Sequence, residues 1–109
     1  MCCDTIIRYM DENFGNTISA ESCAKMLYMS YSHFAKQFRA VTGRTFKQYL
    51  TYIRISHAET DLVTTNDSVT EIAMRTGFNN VSHFIATYRT LRGKTPLETR
   101  RERAETNEE

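Results

Sequence analysis

Apolar residues recur at three- and four-residue spacings along most of this chain, and no stretch alternates convincingly with period two, so helices are expected and strands are not. Ile6, Ile7, Met10 and Phe14 mark an amphipathic helix that Gly15 closes. Ser19 caps a second helix with Ala24 and Leu27 facing inward. Ser30 caps a third, whose inward stripe is Phe34, Phe38 and Val41 before Gly43. A longer helix then runs from about Phe46 to Val63, with Phe46, Leu50, Ile53, His57 and Leu62 near one stripe. At 1.5 Å per residue it is roughly 27 Å long.

The pattern then repeats. Ser32-His33-Phe34 returns as Ser82-His83-Phe84, and at the same offset Phe38 matches Tyr88, Arg39 matches Arg89, Val41 matches Leu91, Gly43 matches Gly93 and Thr45 matches Thr95. Upstream the offset shortens by one, pairing Ser19 with Ser68, Cys23 with Ile72 and Ala24 with Ala73. The difference falls in a turn, where a change of length is cheap. In the second copy Ser68 with Glu71 starts a helix that Gly77 stops, and Asn79 or Asn80 caps the next, whose apolar face is Phe84, Tyr88 and Leu91. Each copy therefore reads as two helices joined by a short turn, a helix-turn-helix. After each copy a glycine suits the left-handed C-cap and a threonine (Thr45, Thr95) caps the next helix, with Pro96 in the first-turn position that tolerates a missing N–H.

The expected organisation is all-α: residues 1–45 as an N-terminal helix and first helix-turn-helix, 46–66 as a linker helix, 67–100 as the second helix-turn-helix and a C-terminal helix. Residues 101–109 are almost devoid of apolar side chains and are expected to form a frayed tail.

Net charge is only +1, but its distribution is uneven. Residues 22–58 carry Lys25, Lys36, Arg39, Arg44, Lys47 and Arg54 without an acid, and residues 72–97 carry Arg75, Arg89, Arg92 and Lys94, again without one. Two basic regions of this kind suit a polyanion, because phosphate neutralisation and counterion release supply affinity. With Phe34 taken as inward and 100° per residue, Ser32, Lys36 and Arg39 point within about 50° of directly outward. Ser82, Ala86 and Arg89 form the equivalent row.

A recognition helix uses its N-terminal residues on base edges. The base-contacting candidates are Tyr31, Ser32, His33 and Lys36 in the first unit and Val81, Ser82, His83 and Ala86 in the second. The phosphate candidates are Ser30, Arg39, Arg44, Thr45, Lys47, Asn79, Asn80, Arg89, Lys94 and Thr95, which flank those helices or cap their neighbours. Two such helices are expected to meet successive major-groove segments about 34 Å apart, giving an asymmetric site of about twenty base pairs.

These residues resemble the DNA-binding region of the AraC/XylS family of bacterial transcription regulators. The resemblance runs from about Ile18 to Arg100 and is most specific at Tyr49-Leu50, Arg54-Ile55, Ala58, Leu62, Glu71-Ile72-Ala73, Gly77-Phe78, Ser82-His83-Phe84, Tyr88-Arg89, Gly93 and Thr95-Pro96. It implies seven helices, two helix-turn-helix units bridged by a long helix, double-stranded DNA as partner, and activation or repression at promoters, often through contact with RNA polymerase. Two positions depart from the family pattern. Tyr28 stands where glycine is usual in the first turn, and Ala86 stands where many members carry a base, so the second unit is expected to contribute mainly phosphate contacts.

Other classes fit less well. Cys2, Cys3 and Cys23 are an odd set without a C-x-x-C pair, so neither a disulfide framework nor a metal site is expected, and Cys23 reads as a small buried hydrophobe. An enzyme would need convergent nucleophile, base and oxyanion groups, and none is recognisable; no cofactor and no small-molecule site is expected. No apolar run approaches the ~18 residues of a membrane span, and a cytoplasmic address is expected. The competing reading is a helical protein-interaction module that does not bind DNA.

Overall fold

Short side chains that accept from free backbone N–H groups decide where the helices begin. The computed structural model describes residues 2–16 and 18–107, with side chains over 4–16 and 18–102. Among them lie seven helices and no strand: α1 (Cys2–Asn13), α2 (Ala20–Met26), α3 (Tyr31–Thr42), α4 (Phe46–Thr64), α5 (Val69–Arg75), α6 (Val81–Arg92) and α7 (Pro96–Asn107). Ser19 accepts from Ser22 N, Ser30 from His33 N and Ser68 from Glu71 N, each at 3.1 Å. Asn80, not Asn79, caps α6, its Oδ1 accepting from Ser82 N and His83 N. Thr45 and Gln48 close a reciprocal capping box at the start of α4, and Thr95 and Glu98 close another at α7.

The chain divides into two compact units, Met1–Ile53 and Arg54–Glu109, and the long helix α4 contributes residues to both. The core of the first unit is Ile6, Met10, Cys23, Ala24, Phe34, Phe38, Phe46, Leu50 and Ile53. Phe34, Phe38, Phe46 and Tyr49 interlock there with ring centroids 5.5–6.0 Å apart, in the tilted and edge-on geometries that aromatic quadrupoles favour. Cys23 is fully buried, and desolvation pushes its thiol up. The second core is Ile55, Ala58, Leu62, Ile72, Ala73, Phe78, Phe84 and Tyr88. Its three buried hydroxyls are satisfied: Thr76 Oγ1 donates to Ile72 O at 2.8 Å, and Tyr88 OH lies 2.8 Å from Thr99 Oγ1.

Several expectations are corrected. Val41 and Leu91 continue the direction of the apolar stripe but are 61% and 46% exposed, because the last turns of α3 and α6 run past the cores that cover Phe34, Phe38, Phe84 and Tyr88. His57 is only half-buried; the second half of α4 buries Ile55 and Ala58 along with the expected Leu62. The helix α1 ends at Asn13, before Gly15. Residues expected to fray from Arg101 onward are helical to Asn107. Their polarity argues against burial but not against helix, since Arg, Glu and Ala are strong helix formers and the Thr95–Glu98 box nucleates the first turn. The Cys2 and Cys3 side chains and Glu108–Glu109 lie outside the described residues.

The two turns share one C-cap geometry. Met29 N donates to Ala24 O and Tyr28 N to Lys25 O; Phe78 N donates to Ala73 O and Gly77 N to Met74 O. This is the Schellman pattern, and its C′ residue must be left-handed. Gly77 has φ +101° at no steric cost, whereas Tyr28 is held at φ +56° with its side chain 98% exposed. The left-handed penalty for a non-glycine residue is about 1–2 kcal/mol, partly offset by the backbone entropy that glycine loses on folding. Tyr28→Gly is therefore expected to stabilise the protein by about 1 kcal/mol, raising the midpoint of a circular-dichroism melt by roughly 4–8 °C. An unchanged or lower midpoint would show that the backbone entropy lost by glycine outweighs the left-handed penalty at this position.

Candidate nucleic-acid interface

Burying Phe34 and Phe38 forces the opposite side of α3 outward, and that side is cationic and hydroxylic. Tyr31, Ser32, His33, Lys36 and Arg39 are all exposed. A groove of about 530 Å³ runs over this face to the start of α4, lined by Glu21, Tyr31, Lys36, Arg39, Thr45 and Lys47, with Phe46 and Leu50 in its floor. It brings together two of the base candidates and three of the phosphate candidates. The only acid among its lining residues is Glu21. Ser32 and His33 are exposed on the same helix without lining the groove, and Ser30 is committed to its cap. Arg44 is exposed with its guanidinium 4.5 Å from the centroid of the Tyr52 ring. The ring holds that cation in place without neutralising it. Tyr52 was not legible as part of the site from helical spacing alone.

The second unit presents a different chemistry on the same scaffold. Ser82, Ala86 and Arg89 are exposed, as the outward row requires, while Val81 is half-buried against the core. His83 is exposed with its ring 5.7 Å from that of Phe78. Asn80 uses its acceptor oxygen on the cap, and Asn79 is exposed beside it. Lys94 forms an ion pair with Glu102, whose carboxylate pushes the ammonium up. At α7 the backbone N–H and then the hydroxyl of Thr95 hold the Glu98 carboxyl below the usual range, so it stays charged. The first unit has neutral Gln48 and cationic Lys47 where this one has Glu98 and exposed Leu97.

Among the described residues no group of His, Cys, Asp and Glu side chains has the arrangement of a metal site, and no helix is long and apolar enough to cross a membrane. Two cores, two equivalent capped helices and a cationic outward face define a double helix-turn-helix domain. A family model described as a helix-turn-helix domain matches residues 23–102. The chain belongs to this AraC-type helix-turn-helix family of DNA-binding domains.

Solved structures agree over almost the whole chain. The DNA-binding domain of AdpA, a global transcriptional factor solved in complex with a target DNA, superposes with a TM-score of 0.87 at 28% identity, covering 92% of this chain and 90% of that one. A DNA-binding transcriptional dual regulator from Escherichia coli K-12 gives 0.86 at 26% identity, covering 95% and 93%. The bifunctional transcriptional activator/DNA repair enzyme AdaA of Bacillus subtilis (strain 168) is 31% identical over 93 residues, which are 85% of this chain and 44% of that protein. A transcriptional regulator from Staphylococcus aureus (strain N315) is 30% identical over 95 residues, 13% of its length. The chain spans less than half the length of these curated relatives.

Proposed function

We propose that the chain is a sequence-specific, double-stranded DNA-binding regulator of transcription that acts by binding and not by catalysis. The observation that carries this reading is the groove of the first unit, where Lys36, Arg39 and Lys47 stand with Tyr31 and Thr45 along the exposed face of a capped α3. In this reading Tyr31, Ser32, His33 and Lys36 face base edges, while Arg39, Arg44, Thr45 and Lys47 hold phosphates. The second unit supplies Ser82, Arg89 and Asn79 to a neighbouring major-groove segment, so the site is asymmetric and about twenty base pairs long. Contact with RNA polymerase at a promoter and a cytoplasmic location belong to the same proposal. The AdpA domain bound to its target DNA supports it by likeness of fold.

Titrating random duplex DNA at several salt concentrations tests the reading. Log affinity should fall linearly with log salt, with a slope of about −0.9 per neutralised phosphate. Lys47→Ala should make that slope shallower by about one and weaken binding to all sequences alike. A chain that binds no duplex at low salt is instead a protein-interaction module.

A further inference from the structure

The outward side of α6 lacks the lysine that α3 carries; Ala86 stands in its place, with the apolar Ile85 on the neighbouring flank. Ile85 is 37% exposed, with Ala86 exposed beside it, and Ser82 and Arg89 flank the pair. At 100° per residue Ser82, Ala86 and Arg89 lie opposite Phe84, while Ile85 stands on the flank, about 60° round from Tyr88 and at the edge of that outward side. Their equivalents in the first unit, fifty residues earlier, are Ala35, Lys36, Ser32 and Arg39. No acid occurs anywhere in α6.

A β-branched side chain and a methyl on a DNA-facing helix cannot hydrogen-bond a base edge. The apolar feature that a major groove offers them is the C5-methyl of thymine. We propose that Ile85 and Ala86 make the second unit a reader of thymine methyl groups, so that this half of the site is recognised by apolar contact while the first half is recognised by hydrogen bonds. Ile85 is thereby a specificity-determining residue. The inference rests on the DNA-binding reading above and replaces the expectation that this unit contributes mainly phosphate contacts.

The experiment uses the full chain to select duplexes from a random pool. Each thymine of the enriched site is then replaced singly by 2′-deoxyuridine, which removes only the methyl, and affinities of the wild type and Ile85→Ala are measured by fluorescence anisotropy at one salt concentration. At one or two thymines the wild type should lose about fourfold per methyl, the value of one buried methylene, and Ile85→Ala should bind thymine and uracil equally there. Alanine at an exposed helical position keeps the fold, which a melting curve verifies. Enrichment of a site whose methyl effects are absent, or persist unchanged in Ile85→Ala, overturns this inference and leaves the DNA reading standing. Enrichment of no sequence overturns both.

Discussion

Phe38→Ala is expected to destabilise the first unit by about 3–5 kcal/mol, the range for truncating a buried phenylalanine. Phe38 is fully buried, and its ring meets Phe34 and Phe46 at 5.7 Å and Tyr49 at 5.5 Å, so it ties α3 to the first half of α4. Removing it leaves a cavity that rigid neighbours cannot fill. A whole small domain is stable by only about 5–15 kcal/mol, so the loss of one ring removes a large share of that margin. None of the second core's residues belongs to that cluster: Ile55, Ile72, Phe84 and Tyr88 form a separate set. Urea denaturation followed by circular dichroism should therefore show a low-denaturant loss of part of the helical signal in Phe38→Ala. Phe38→Leu, which keeps more volume, should lose less. A single unshifted transition in Phe38→Ala would mean that the aromatic cluster does not hold the unit together.

The sequence repeat made most of this architecture legible because its signals are local. Ser19, Ser30, Ser68 and Asn80 cap where a short acceptor precedes an apolar stripe, and Gly43 and Gly93 take φ near +78° where an αL residue is needed. Tyr28 shows the same rule through its violation, since its place in the pattern, and not its side chain, demanded a positive φ. What stayed hidden depends on where a helix sits relative to its core. Val41 and Leu91 lie in the right direction but beyond the covered length, and α4 changes the row it buries between Ile53 and Ile55. The polar second half of α7 was mistaken for a tail because composition reports burial more directly than it reports helix.

The site was legible in direction and less so in chemistry. Helical spacing put Ser32, Lys36, Arg39, Ser82, Ala86 and Arg89 outward, and they are exposed. It could not foresee that Lys94 is held by Glu102, that Val81 leans on the core, or that Arg44 rests on Tyr52, because each depends on a neighbour brought close by folding.

Lys36→Ala is expected to lower affinity for the preferred site by about 1–3 kcal/mol, roughly five- to 150-fold, while reducing binding to random duplex far less. The asymmetry follows from placement. Lys36 stands on the exposed face of α3, in the groove that also holds Tyr31, Arg39 and Lys47, where its ammonium can donate to the O6 and N7 acceptors of guanine. A phosphate contact would instead weaken all sequences equally. Ser82→Ala removes one hydroxyl from a row whose other members are Ala86 and Arg89, so its effect on discrimination should be smaller. The reverse graft, Ala86→Lys, adds a cation to the same place on α6 and should strengthen random-duplex binding and steepen the salt slope by about one. Competition between the selected site and random DNA measures all three. Equal losses of discrimination for Lys36→Ala and Ser82→Ala would mean that the units read bases alike, and that the cationic groove does not decide which sequence is preferred.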